Sequence, residues 1–210
     1  DQSTVLFRPS APLTPGTRYR ATLDAALTDL GGGQLRSPYS WSFQTLAPRV
    51  LALAPADGDR LVPPRATLAL TISQPLALDS LRASLAFSPT IAGELRADPL
   101  PGGRQLVTLT PAEGLRAGTT YTATLLAGVA PVQGNLPLLE TLRWSFTTAP
   151  QPGLTARFPG EGQILPRDQE IRLVFNTPID PAALRARLQI DPPAPDLQID
   201  ADDTEVHIRA

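Results

Sequence analysis

The chain of 210 residues contains no cysteine and no methionine, one histidine (His207), and no lysine, since all 18 of its Lys+Arg residues are arginine. Without cysteine there can be no disulfide, thiolate metal site or thiol nucleophile, so any core must hold by packing alone. With a single histidine, a zinc site lacks a second imidazole, and a Ser-His-Asp triad would rest on a residue three positions from the chain end. Charge is also sparse: the formal net value is -2 and the pI is near 5.4. That balance offers no basic surface for phosphate backbones and excludes nucleic acid as an expected partner. No apolar run approaches the ~20 residues of a membrane-spanning helix, so direct membrane insertion by this segment is not expected. The missing methionine and the polar start at Asp1 suggest a processed protein or an excised stretch.

Proline is plentiful, with 24 residues, roughly twice the ~5% of average usage. Asparagine occurs only as Asn135 and Asn176. Stiff loops with few thermolabile side chains fit a thermophile, and codon bias in a GC-rich genome fits equally well.

The chain repeats itself. Leu13-Thr-Pro-Gly-Thr-Arg-Tyr19, followed by Ala21-Thr-Leu23, returns as Leu115-Arg-Ala-Gly-Thr-Thr-Tyr121, followed by Ala123-Thr-Leu125, so Tyr19 and Tyr121 are 102 residues apart. Trp41-Ser-Phe43 returns as Trp144-Ser-Phe146, 103 residues on. Leu61-Val-Pro63, Leu68, Leu70, Ile72 and Pro75 map with the same 103-residue step onto Ile164-Leu-Pro166, Ile171, Leu173, Phe175 and Pro178. Solenoid and propeller units repeat every ~20–50 residues, so this longer period points to whole domains in series. The expected division is a closing half-repeat at 1–48, a complete repeat at 49–149 and an opening half-repeat at 153–210. The proline-bearing junctions between them should limit swing.

Within the complete repeat the pattern is period two. Thr67 to Ser73 places Leu68, Leu70 and Ile72 on one face, and Gln105 to Thr110 does the same for Val107 and Leu109. Further strands are expected at Val50 to Leu53, Leu85 to Phe87, Ala92 to Arg96, Thr119 to Leu126 and Thr141 to Thr147. About seven short strands separated by Pro/Gly turns imply an all-β, tandem immunoglobulin-like Greek-key sandwich. A short helical turn should follow the second strand, at Asp79-Ser-Leu81 and at Asp180-Pro-Ala-Ala-Leu184, with Asp as cap and Pro181 at the first helical position. Leu184 and Leu188 would face the sandwich.

Several residues invite chemistry, and each has a structural reading. Tyr19 and Tyr121 sit where a tyrosine corner would lock a loop, although ligand stacking is the alternative. Trp41 with Phe43, and Trp144 with Phe146, each share a strand face, expected to be core more readily than a sugar platform. His207, between Val206 and Ile208, should point to solvent. Asp57-Gly-Asp59, Glu161-Gly162 and Asp200 to Asp203 read as turns, since none has the spacing of a calcium loop, with calcium at a domain junction as the alternative. Asp29-Leu-Gly-Gly-Gly33 and Gln133-Gly-Asn135 precede the last strand of their repeats, where positive φ suits a turn. No Lys-Ser/Thr follows the glycines at 31–33, so a nucleotide loop is excluded. No catalytic, cofactor-binding or metal residue is assigned, and no cofactor is expected.

The order Pro55-Ala-Asp-Gly58, an alternating strand with Pro75, Leu-x-x-Gly-Thr-x-Tyr at 115–121, Gly134-Asn135 and Trp144-Ser-Phe-Thr-Thr148 resembles the bacterial Ig-like domain family typified by S-layer protein repeats. Pro159-Gly-Glu-Gly162 and Leu173 to Asp180 carry the opening half of the same pattern. The resemblance implies an extracellular or cell-envelope spacer, without catalytic residues, whose partners are neighbouring repeats or other subunits of a surface assembly. Family members often read Asp-x-x-Gly-Asn before the last strand; neither copy here is complete. One alternative is a protein- or glycan-binding module, such as part of a macroglobulin-like inhibitor. Another is a head-to-tail filament subunit completed by strand exchange. Against the filament, Thr4 to Phe7 and Glu205 to Ile208 both align with the strand near Val107 and would duplicate it.

Overall fold

The computed structural model describes residues 4, 6–166, 169–194 and 196–209. It contains a two-stranded hairpin, β1 (Arg18–Leu23) and β2 (Tyr39–Gln44), followed by seven strands of the middle repeat. These are β3 (Val50–Ala54), β4 (Leu68–Ile72), β5 (Leu85–Ser88), β6 (Gly93–Leu100), β7 (Arg104–Pro111), β8 (Thr120–Leu125) and β9 (Leu142–Thr147). All seven expected strands are therefore present. They form a four-stranded sheet, β3-β4-β7-β6, and a three-stranded sheet, β5-β8-β9.

Alternation decides which side chains meet. In β4 and β7 the pairs Leu68↔Leu109 and Leu70↔Val107 lie opposite one another, and all four side chains are buried. In the other sheet Tyr121, Ala123, Leu125, Trp144 and Phe146 are buried, while the residues between them are not. Each fully buried large apolar side chain contributes ~1.5–3 kcal/mol, so the inward faces supply most of the driving force. Tyr121 stacks on Phe146 with centroids 5.5 Å apart, and Trp144 meets the edge of Phe87 at 6.5 Å. A buried polar side chain is satisfied on both sides: Gln105 accepts from the Leu76 N–H at 3.0 Å and donates to the Leu76 carbonyl at 3.1 Å. That clamp ties the entrance of the helical turn to β7.

The helical turn follows β4 as α1 (Leu78–Ser84). Its cap differs from the expectation, because Ala77 occupies the N-cap and makes no side-chain bond, leaving Asp79 inside the first turn beside Arg82 at 3.2 Å. Leu78 begins the helix one position before Asp79, so the carboxylate is too late in the chain to cap it. The second helical turn, α2 (Pro181–Arg185), is capped as expected, with Asp180 Oδ1 accepting from the Ala182 N–H at 2.9 Å.

The last part of the chain forms another four-stranded sheet, β10-β11-β13-β12, from β10 (Leu154–Phe158), β11 (Ile171–Phe175), β12 (Gln198–Asp202) and β13 (Glu205–Arg209). Its core is Ile199, Val206 and Ile208, against which Leu173, Phe175, Ile179, Leu184, Leu188 and Leu197 pack. Burial differs from that of the middle repeat: β4 hides Leu68, Leu70 and Ile72 completely, whereas the equivalent Ile171, Leu173 and Phe175 of β11 are only half-buried.

The hairpin shows the larger departure. Trp41 is 44% and Phe43 42% exposed, against 5% for Trp144 and 1% for Phe146. The core expectation therefore holds for the middle repeat and fails for β2, because among the described residues β1 and β2 form a two-stranded sheet of their own with no second sheet over it. Thr4, Leu6 and Phe7 carry no strand, Val5 lies outside the described residues, and Leu6 and Phe7 are exposed. The expected duplicate of β7 is not formed by the described residues there.

By compactness the chain separates into two units. One comprises Asp1–Gly58, Arg65–Gly114 and Tyr121–Phe146; the other comprises Asp59–Pro64, Leu115–Thr120 and Thr147–Ala210.

Candidate functional site

The most organised polar constellation within the first unit joins the hairpin to the middle repeat. It starts from the Leu13–Tyr19 corner. The Tyr19 hydroxyl accepts from the Thr14 N–H at 2.8 Å, which is a tyrosine corner as expected. Thr45 Oγ1 accepts from the Thr17 N–H at 2.9 Å and donates to the Thr14 carbonyl at 2.8 Å. Gly16, at φ 59°, donates its N–H to the Leu46 carbonyl at 2.9 Å. Only glycine holds such a φ cheaply, and the outcome is a carbonyl turned outward.

The Gly134-Asn135 loop fills that position. The Gly16 carbonyl accepts from the N–H groups of Asn135 at 2.9 Å and Leu136 at 2.7 Å. Asn135 Oδ1 accepts from the Arg18 N–H at 2.8 Å. Gly134 approaches so closely that a Cβ there would stand 2.5 Å from both the Gly16 and Pro15 carbonyl oxygens. Gln74 donates through Nε2 to the Leu46 carbonyl, and its buried Oε1 has no protein partner among the described residues. The loop was expected to be a turn needing positive φ, and Gly134 does have φ 90°. Its further role as a plug was not legible, because its partner lies some 117 residues away.

The other flagged residues resolve into local structure. Asp57 Oδ1 accepts from the Ser145 N–H at 2.8 Å while Gly58 donates to the Ser145 carbonyl at 2.7 Å, so this turn clasps β9. Asp29 Oδ1 accepts from Gly31 and Gly33, each at 2.8 Å. Glu161 pairs with Arg157 at 3.4 Å, and Asp203 holds a turn at φ 52°. Among the described residues no group of three or more His, Cys, Asp or Glu side chains could hold a metal ion.

His207 does not point freely into solvent. Its Nδ1 lies 2.6 Å from Glu170 Oε1, and Arg209 donates to Glu170 Oε2 at 2.8 Å. Arg209 also faces Asp200 at 3.6 Å. Hydrogen bonds from Arg209 and then from His207 hold the Glu170 carboxyl below its usual range. This cluster borders an open groove of about 900 Å³ whose apolar wall includes Phe158, Ile171, Ile190 and Ile208. His207 and Arg209 both hydrogen-bond Glu170, so the groove presents this polar cluster beside aliphatic surface.

The profile described as a bacterial Ig-like domain matches residues 1–45 and 46–148. The chain belongs to that family. Its Ig-like sandwich is thus the structural unit of the family, written in series. Comparison with curated proteins yields no match. Among solved structures, L,D-transpeptidase 3 from Mycobacterium tuberculosis, in complex with a faropenem-derived adduct, aligns at 15% identity and TM-score 0.32, covering 63% of this chain and 49% of that one. The N-terminal part of the bacterial S-layer protein SbsC aligns at 18% identity and TM-score 0.33, covering 61% of this chain and 31% of that one. The tandem Ig repeats of Dlar align at 11% identity and TM-score 0.22, covering 77% and 81%. The Ig-like chain therefore spans about half the length of the transpeptidase. At these scores the alignments carry no argument about activity.

Proposed function

We propose that this chain is a non-catalytic structural spacer in a bacterial extracellular or cell-envelope protein, with a complete Ig-like repeat at 49–149 between partial repeats at 1–48 and 153–210. The observation that carries the reading is the joint at Gly16. Family membership agrees with it. Three hydrogen bonds made by residues 135 and 136, with a steric match at Gly134, hold one repeat against the next. Even at ~0.5 kcal/mol each, the low end for such bonds, they favour the docked arrangement by roughly tenfold. The proline-bearing linker, Leu46-Ala-Pro48, adds a restriction that does not depend on those bonds. The non-catalytic half of the proposal is supported by where the reactive groups are. His207 and Glu170 are occupied with each other, while Asp29 and Asp57 hold turns.

Small-angle scattering on the full chain and on its Asn135→Ala variant tests the spacer reading. The parent should fit a narrow ensemble, and the variant a broader one with unchanged strand content. Equal ensembles for both would remove the joint as the source of stiffness.

A further inference from the structure

We propose that the complete repeat at 49–149 bears tension along the chain, and that the segment 57–62, laid parallel to β9, is the clamp that resists it. The inference rests on the reading of the chain as repeats in series, but not on the stiffness of the joint at Gly16 or on where the protein resides.

The opening and closing segments of the repeat meet directly. β3 pairs with β4 in an antiparallel register, and the chain then leaves that sheet to run beside β9. There Val62 and Thr148 form a parallel bridge, whereas β3–β4, β4–β7, β6–β7 and β5–β8 are antiparallel. The Ser145 N–H donates to Asp57 Oδ1 at 2.8 Å, the Gly58 N–H to the Ser145 carbonyl at 2.7 Å and the Thr147 N–H to the Asp59 carbonyl at 2.8 Å. Further along, the Val62 N–H donates to the Thr147 carbonyl at 3.1 Å and the Ala149 N–H to the Val62 carbonyl at 2.9 Å. These bonds follow one another from 57 to 62 as their partners advance from 145 to 149.

Parallel pairing of the two segments fixes how a pull is felt. The repeat is entered at the end where β9 begins, since Arg49 and Val50 border one shallow cleft with Leu138 to Leu142. It is left after Thr147, at the opposite end of β9. Tension between entry and exit therefore draws 57–62 and β9 in opposite senses along their common axis. Hydrogen bonds between strands run across that axis, so they are strained together and the clamp yields only when they fail as a group. Had the two segments been antiparallel, entry and exit would lie at one end and the bonds would open singly. Forced unfolding is governed by the barrier and not by equilibrium stability, so this arrangement adds mechanical resistance without a larger core.

The clamp is also sealed and anchored. Val62 is 6% and Thr148 1% exposed, which keeps water from the bonds beside them. Thr148 Oγ1 accepts from the Thr119 N–H at 2.9 Å and donates to the Arg116 carbonyl at 2.6 Å, and the Leu115 N–H donates to the Pro64 carbonyl at 2.7 Å. Both members of the clamp are thus fastened to the 115–119 corner as well as to each other. Leu61, between the bonded residues Asp59 and Val62, is held at φ 57°, a region that leucine rarely occupies. A conformation of that kind persists where its surroundings over-determine it.

Pulling the full chain in two directions tests the clamp. Because the sequence has no cysteine, handles attach only at introduced thiols, and positions 49, 140 and 151 are exposed. Arg49→Cys combined with Gln151→Cys loads the clamp along β9. Arg49→Cys combined with Glu140→Cys instead pulls apart two residues that border the same cleft, and so peels the repeat open. In optical tweezers the event is recognised by the chain it releases, up to about 350 Å in the first geometry and about 310 Å in the second. Urea midpoints read by tryptophan fluorescence should agree for the two chains, whereas the unfolding force should be several-fold higher in the first geometry. Asp57→Ala, which removes the acceptor of the Ser145 N–H, should lower the force in that geometry. Equal forces in the two directions would overturn the proposal, and so would a force along β9 that Asp57→Ala leaves unaltered. Neither result changes the scattering comparison of the parent with Asn135→Ala, so the two readings fail separately.

Discussion

Phe43 and Phe146 occupy the same place in the repeat, yet truncating them should have very different costs. Both stack on a tyrosine at nearly the same centroid distance, 5.4 Å and 5.5 Å, so the aromatic pair itself is common to both sites. What differs is the sheet on the far side: Phe146 is 1% exposed and Phe43 42%. Phe146→Ala removes a fully enclosed ring and leaves a cavity, which costs ~3–5 kcal/mol. Phe43→Ala loses only part of a transfer free energy of ~1.5–3 kcal/mol, and water fills the space, so ~1–2 kcal/mol is expected. Urea unfolding can be followed by Trp144 fluorescence for the first variant and by Trp41 fluorescence for the second, each in a background where the other tryptophan is phenylalanine. With a slope of ~1–3 kcal/mol per molar urea, Phe146→Ala should lower the midpoint by on the order of 2 M and Phe43→Ala by less than half of that. Equal shifts for the two variants would refute the claim that burial, and not sequence position, sets the cost.

Thr148→Val keeps side-chain shape but strands the Thr119 N–H and the Arg116 carbonyl, for an expected loss of ~1–3 kcal/mol in urea unfolding; the same change at the less enclosed Thr45 should cost less. Gly134→Ala should speed amide hydrogen exchange at Arg18 and Asn135 while leaving β7 protected, because its Cβ has no room against Gly16. Glu170 has its proton affinity lowered in the folded state, so its contribution to stability is present above the ordinary glutamate range near ~4.3 and is lost as pH falls through its folded value. Thermal midpoints of the parent and of Glu170→Gln should therefore differ near neutral pH and converge in acid; a constant gap would show that Glu170 acts through packing.

Much of the fold could be read from the residues because period-two burial writes itself into the chain. Leu68, Leu70 and Ile72 declare a face, and so do Val107 and Leu109. Alternation says which residues share a side, however, and not whether anything covers it. For that reason Trp144 and Phe146 met the expectation while Trp41 and Phe43 did not. The Asp79 cap failed on a smaller scale, since one residue of register decides whether a carboxylate reaches free amides or only decorates the first turn. Asp180, followed directly by Pro181, had its register marked by the proline. The joint at Gly16 was hidden for another reason. Its donors to the Gly16 carbonyl are backbone groups of Asn135 and Leu136, which carry no residue-specific signature, and its side-chain contacts, Asn135 to Arg18 and Gln74 to Leu46, span two repeats. Gln105 escaped notice likewise, as glutamine in a strand reads as surface until the Leu76 backbone is found beside it.

The glycine turn recurs at Gly118, where φ is again 59° and Thr148 makes the bonds that Thr45 makes beside Gly16, and this repetition makes the coupling modular. Socket and plug are drawn mainly from main-chain atoms, completed by the side chains of Thr45 and Asn135, so the visible surface of each unit can diverge in sequence while the mechanical connector stays interchangeable. Length then becomes a quantity that whole-unit duplication or loss can adjust without redesigning any contact.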